Sequence, residues 1–520
     1  MEHKSIHFLD LPDEILLIIT KKLCPIDVLY SLLGVNKRLD TIARYIVHTK
    51  FLDFSIISSN SQFCPVDDAV LDRFCAQILP QIYQHLKVLV FEQLCMKRIL
   101  LACQYPNLRI INIINYKPNI FSQYLTEESP IVHLFRKQIA HITITNRKKE
   151  ASNESFTDGC AHIFTICKQL TFFDMSRFTS NGNAQLLLYN RLPNTCFSSN
   201  LRTLFVNVAT FDDCLCLLDG RLSQLSSFTV NISSIKRSST ITNNRNVLPN
   251  LTEFSLFCYS LTNAYDCHIV PLLRRMSNLK DLTLNLNIER LTFIDRIHLD
   301  EQVLNYMSKL NSFTFHICTF ISTSNTVQFL STNDIQKTFI DWKYSLISCC
   351  VDYFSNEIGL CHIYSTPVKI TRFMYVTNSF RGSHFQFVTD LKLYDRHSFE
   401  HDFFEWASQA FPLLNKLTIF NLIPQENKRQ ISSIIKYLHL RRLDLINAHI
   451  DYANQFLFHT YAYLPRLVTL MIRYEQLTIV TNNFTNDLTR VNCQQVKRLA
   501  NDELTVYPRD FYLYFSSLSK

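Results

Sequence analysis

A chain of 520 residues that is 47% apolar, 12% aromatic and only 18% charged can fill buried cores but is too long for one of them. That excludes a disordered chain and points to several domains or one elongated array. The net charge of +8 is thinly spread, and the densest basic cluster, Arg147-Lys148-Lys149, runs straight into Glu150, so neither a nucleic-acid nor a membrane partner is expected.

The first apolar stretch is broken by Asp10, Asp13 and Glu14, which is unlike a secretory leader. No run of about 18 apolar residues follows anywhere, so no membrane span is expected. The 17 cysteines then read as reduced, mostly buried thiols of a soluble intracellular protein, cytoplasmic and/or nuclear. Residues 11–43 read as three short helices. Pro12 suits a first helical turn, and Asp13 and Glu14 suit the positive end of the dipole. Ile15, Ile18, Ile19 and Leu23 recur at helical spacing, and Cys24-Pro25 interrupts them. Asp27 opens a second helix with Val28, Leu29 and Leu32 inward, Gly34 closes it, and Val35, Leu39 and Ile42 mark a third. Helices this short cannot enclose a stable core, so an apolar ridge docked on a partner is the natural reading.

Three sub-motifs stand in that segment: Leu11-Pro12-x-Glu14-Ile15, Leu23-x-Pro25-x-Asp27-Val28-Leu29 and Val35-Asn36-Lys37-Arg38. Together they resemble the F-box family. The chain departs from the family in carrying Leu39-Asp40 where many members place an aromatic. The resemblance implies a module that binds a SKP-type adaptor and, through it, a cullin–RING ligase. The adaptor-binding positions it implies are Leu11, Pro12, Ile15, Leu16, Ile19, Leu23, Leu29 and Val35.

Downstream, a phrase recurs: a Pro or Ser, one residue, a Leu, then apolar residues three and five later. YPNLRIINI (105–113), SSNLRTLFV (198–206), MSNLKDLTL (276–284), FPLLNKLTI (411–419) and LPRLVTLMI (464–472) are examples. The anchors Leu108, Ile139, Leu170, Leu201, Leu225, Leu251, Leu279 and Leu310 lie 24 to 31 residues apart. They resume at Val388, Leu414, Leu440 and Leu467, 26 or 27 apart. The pattern resembles leucine-rich repeats, which implies a short strand and a helical return per unit, stacked into a solenoid. An Asn or Cys at the family's turn position occurs only as Asn287 and Cys318; Asn115, Asn146, Asn421 and Asn447 fall one place early and imply irregular turns. Segment 319–369 breaks the period and reads as degenerate repeats or an insertion. The polar stretches 146–158 and 234–246 read as surface loops.

Between the apolar strand positions, polar residues point to the opposite face. These include Ser226, Ser227, Thr229, Thr252, Glu253, Ser255, Lys280, Asp281 and Thr283, and later Lys416, Thr418, Arg441, Arg442, Asp444 and Arg473. Such a surface suits a protein partner. Catalytic signatures are missing from the sequence. The closest glycine pairs, Gly159/Gly182 and Gly359/Gly382, lie 23 residues apart, which leaves no phosphate-cradling loop or nucleophile elbow. No C-x2-C or HExxH supplies a metal grip, so no metal and no cofactor are expected.

The expected fold is therefore α/β: a small N-terminal three-helix F-box followed by a curved leucine-rich-repeat solenoid with parallel strands on the concave face. The expected divisions are an F-box at 8–48, a linker and first turns at 49–104, regular repeats at 105–318, irregular ones at 319–386, and C-terminal repeats and cap at 387–520. The expected function is non-catalytic: substrate recognition for an SCF-type ubiquitin ligase, with the solenoid holding an unidentified protein substrate. The alternative is an adaptor-binding scaffold that directs no degradation.

Overall fold

Three short helices precede the first strand: α1 (Asp13–Thr20), α2 (Pro25–Leu32) and α3 (Lys37–Ile46). The computed structural model describes residues 8–46, 50–57, 63–64, 66–126, 128–146, 152–176, 184–192, 195–237, 248–324, 329–354, 357–382, 384–426, 433–500 and 509–518. Pro12 stands at the N-cap of α1 and Pro25 at the first position of α2, where a missing N–H costs nothing. Gly34 follows α2 at φ +87°, a left-handed turn that suits glycine, and its N–H donates to Asp40 Oδ1 at 2.6 Å.

Along the rest of the chain, strands alternate with helical or turn segments. The first seven strands of the larger sheet are β1 (Phe51–Asp53), β2 (Val88–Glu92), β3 (Ile110–Ile114), β4 (His141–Thr145), β5 (Phe172–Asp174), β6 (Thr203–Thr210) and β7 (Ser227–Ser234). Then come β8 (Glu253–Thr262), β9 (Asp281–Arg290), β10 (Ser312–Ser322), β11 (Leu346–Phe354) and β12 (Ile358–Thr366). These twelve hydrogen-bond as one sheet in chain order, except that β12 lies between β10 and β11. A second sheet holds β13 (Arg372–Val376), β14 (Asp390–Tyr394), β15 (Lys416–Phe420), β16 (Arg442–Asp444), β17 (Thr469–Met471) and β18 (Arg498–Ala500), again in chain order. Each of the twelve anchors is buried and lies two residues before its strand. Leu86, Ile370 and Val496 occupy the same place before β2, β13 and β18, although the sequence phrase omits them.

A backbone device repeats with this spacing. The carbonyl after an anchor accepts two N–H groups from the next unit, as Arg109 O does from Ala140 (2.9 Å) and His141 (3.1 Å). Asn415 O does the same for Arg441 (2.8 Å) and Arg442 (3.0 Å). Each entering strand is thereby placed in register with the strand before it, while the alternate side chains go into the core.

The contacts divide the chain into two units: residues 1–234 with 238–255, and residues 235–237 with 256–520. The first contains α1–α3 and β1–β7. The second contains β9–β18 and a core rich in Phe, including Phe373, Phe380, Phe385, Phe403, Phe404 and Phe411.

The fold class expected from the sequence is corrected. In place of a three-helix F-box followed by a curved repeat solenoid, the fold is a mixed α/β arrangement with a twelve-stranded sheet, a six-stranded sheet and two two-stranded pairs among the described residues. The larger is mostly parallel but ends in an antiparallel pair, β11 with β12, and β12 also runs antiparallel to β10. The physical reason lies in the 346–366 stretch, where two runs rich in aromatic and β-branched residues sit too close together for a helical return and fold back as a hairpin. Nor do α1–α3 stand apart as a module. Tyr30 of α2 stacks on Phe74 with centroids 6.3 Å apart, Arg73 lies 4.6 Å over the Tyr30 ring, and Arg73 Nη2 donates to Leu33 O at 3.2 Å. The stretch 146–158 is also corrected. A helix begins at Asn153, capped by Ser152 Oγ accepting from Ser155 N at 3.2 Å, and Asn146 is buried. Residues 147–151 and 238–246 of the two expected loops lie outside the described residues.

Candidate partner-docking surface

The sequence DEILLIIT of α1 is apolar on nearly every side, so packing decides which stripe faces inward. Leu16 and Thr20, one turn apart, are buried, and Thr20 Oγ1 donates to Leu16 O at 2.8 Å. Leu16 packs with Leu39 and Ile42 of α3, flanked by Leu11, Leu17 and Leu32. Arg38 closes this cluster over the start of α1: its Nε donates to Asp13 Oδ1 and its Nη1 to Leu9 O, both at 2.6 Å, and Nη2 reaches Leu11 O. Leu39 N donates to Asn36 Oδ1 at 2.8 Å, fixing the turn into α3.

With that stripe inside, another is left outside. Ile15 is 41% exposed, Ile18 54%, Leu23 53% and Val35 59%. Pro12 is exposed as well, whereas Leu11 and Ile19 are half-buried. Leu16 and Leu29 are buried in the chain's own interior, at 0% and 1% exposure. Leu16 therefore joins α1 to α3, and neither side chain is presented to a partner. Ile18 is the residue missed as a surface position; its helical spacing from Ile15 was visible, but not the side that Leu16 would turn inward.

The strand-borne polar residues are divided between the two units. In the first, Ser226, Ser227, Thr229, Thr252 and Ser255 are half-buried and Glu253 is exposed. In the second, Lys416, Thr418, Arg442, Asp444 and Arg473 are half-buried and Arg441, Lys280 and Asp281 exposed.

No group of three or more His, Cys, Asp or Glu suited to a metal ion occurs among the described residues. Burial pushes the thiols of Cys160, Cys318 and Cys361 far above their ordinary value, and holds those of Cys196 and Cys493 up at about 12. Such thiols stay protonated and are poor nucleophiles. No helix among the described residues is long and apolar enough to cross a membrane. No family model matches the chain. No curated protein matches it either.

Proposed function

We propose that the chain is a non-catalytic, substrate-recruiting subunit of an SCF-type cullin–RING ubiquitin ligase. Residues 11–43 would bind a SKP-type adaptor and the remainder would bind a protein substrate. The reading rests on the three F-box-like sub-motifs, and one observation carries it furthest. The segment that bears them keeps Ile15, Ile18, Leu23 and Val35 in solvent while Leu16 packs with Leu39 and Ile42 and Leu29 is buried. Exposed aliphatic side chains gathered on one short segment favour a protein contact that covers them. Recruitment would then act by proximity, raising the effective concentration of substrate lysines near the ubiquitin carrier.

The test is co-purification with a SKP-type adaptor. Ile15→Asp/Ile18→Asp places charges on the outer stripe and is expected to abolish capture while leaving the circular dichroism of the chain unchanged. Capture equal to that of the unaltered chain would sink the adaptor assignment. Adaptor capture that persists with no partner ubiquitylated would instead leave a scaffold that directs no degradation.

A further inference from the structure

Across the second sheet, one row of residues stands in register on the face turned away from the core. From β13 to β18 it reads Arg372, Asp390, Lys416, Arg442, Thr469 and Arg498. The alternate positions, Phe373, Leu391, Leu417, Leu443 and Leu470, are buried, which fixes the orientation of the row. Neighbouring strands lie about 4.8 Å apart, so the row is a line of four cations and one acid roughly 24 Å long.

The acid is shared. Asp390 Oδ2 lies 3.2 Å from Lys416 Nζ and 3.5 Å from Arg372 Nε, and its side chain is only 14% exposed. Arg442 has no carboxylate partner among the described residues. Its Nη2 donates to Met471 Sδ at 2.9 Å, and its Nε is buried with no partner at all. One pleat further along the strands, Lys392 lies 5.2 Å from the Tyr375 ring and 5.7 Å from the Phe420 ring. Asp444 is the one acid there, and its Oδ1 accepts from Ile446 N at 3.4 Å. Burial and the neighbouring Lys416 charge both hold the Lys392 ammonium below its ordinary value. Five cations face two carboxylates, and the half-buried Arg442 guanidinium has no carboxylate partner among the described residues. A partly buried cation without a matching anion favours the arrival of one.

We infer that this face of the second sheet is a binding site for an acidic protein segment, a stretch of alternating Asp or Glu lying across the strands over Lys416, Arg442 and Arg498. The distribution of charge selects that occupant. Alternate side chains of an extended segment lie about 7 Å apart, which matches a line of cations better than it matches a single concentrated anion. Tyr375 and Phe420, beside Lys392, supply aromatic surface for the residues between the acids. Arg442, which has no carboxylate partner among the described residues, is the group expected to take a carboxylate through its guanidinium. The inference gives a substrate class to the recruitment reading and rests on it for that role, but the site itself involves no residue of α1–α3.

The experiment is fluorescence anisotropy with the full chain and no adaptor. The probe is a labelled 14-residue peptide with Glu at alternate positions. Its comparators are the same peptide with Gln, one with a single phosphoserine and otherwise neutral residues, and an oligonucleotide of equal charge. The Glu peptide is expected to bind about tenfold tighter than the Gln peptide, with the difference shrinking as salt rises. Lys416→Gln/Arg442→Gln should weaken it by about tenfold, and Lys416→Arg/Arg442→Lys by only a few-fold. Arg498→Gln, at an exposed strand, serves if the double variant fails to fold, and should weaken binding roughly threefold. Equal affinity for the Glu and Gln peptides, unchanged binding by the neutralised variants, or tighter binding of the phosphopeptide or oligonucleotide would overturn the assignment. Because the assay contains no adaptor, its failure and the failure of adaptor capture are read separately.

Discussion

His316 and His362 are fully buried on adjacent strands and form a chain of hydrogen bonds whose protons can be counted. His362 Nε2 lies 3.0 Å from Tyr375 O, an acceptor only, so that nitrogen carries hydrogen. In a neutral ring its Nδ1 must accept, and it does so from His316 Nε2 at 3.0 Å. His316 Nδ1 is then bare and needs a donor, yet Asn285 Oδ1 lies 3.1 Å away. Either the pair holds one extra proton, or the Asn285 amide turns its nitrogen toward His316 and gives up its 3.3 Å bond to Arg372 O. Burial decides for the neutral pair. It holds His316 well below its ordinary value, with the His362 charge adding to the effect, and lowers His362 to about 4. Both folded values lie below that of an unfolded histidine, about 6.5, so below that pH the unfolded chain binds more protons. Stability from this pair is therefore complete above pH 6.5 and declines as pH falls toward 4, by about 1.4 kcal/mol per pH unit for each proton taken up. Urea unfolding at pH 7.5, 6 and 5 measures it, and the slope should shrink in His316→Gln/His362→Gln. An unchanged slope in that variant would show that other groups cause the loss.

At the scale of elements, the β11–β12 hairpin has two features that guard it. Its outer strand is an edge, and the helix Thr332–Thr338 covers it: Gln336 Nε2 donates to Ile347 O at 2.7 Å, and Thr332 Oγ1 accepts from Val351 N at 3.0 Å. Such capping withholds the edge from another chain. The hairpin also needs Gly359, where an added Cβ would come within 2.8 Å of Ile321 Cγ1, 3.0 Å of Tyr353 Cε1 and 3.1 Å of Phe293 Cζ. Gly359→Ala should therefore destabilise by about 1–3 kcal/mol through overpacking, seen as a lower melting temperature. A melting temperature unchanged or raised would mean that those side chains yield freely.

How much of this was readable depends on the range of the signal. The anchors were readable because each acts locally: a buried side chain, two residues of lead-in, then a strand. The hairpin was not, since its residues have the same apolar composition as the parallel strands and only their pairing partners differ. The inward stripe of α1 was hidden by the uniform apolarity of its sequence. The His316–His362 pair joins residues 46 apart through an antiparallel register, and the cation row becomes a row only once six strands are aligned.

For the whole molecule, the division into two units has a thermodynamic consequence. Compact units whose contacts are mostly internal need not unfold together, so a single two-state transition is not the expected behaviour. The chain offers a direct way to see this. Its two tryptophans, Trp342 and Trp406, both belong to the second unit. Tryptophan fluorescence therefore reports that unit alone, while far-ultraviolet circular dichroism reports both. Titration with urea should give a fluorescence curve with one step and a dichroism curve that is broader or has two. Leu470→Ala, fully buried in the second unit, should move the fluorescence midpoint down, at a cost of about 2–5 kcal/mol. Phe121→Ala, fully buried in the first unit, should move the dichroism curve and leave the fluorescence midpoint in place. Coincident curves, displaced equally by either variant, would show that the two units unfold as one cooperative body despite their separate contacts.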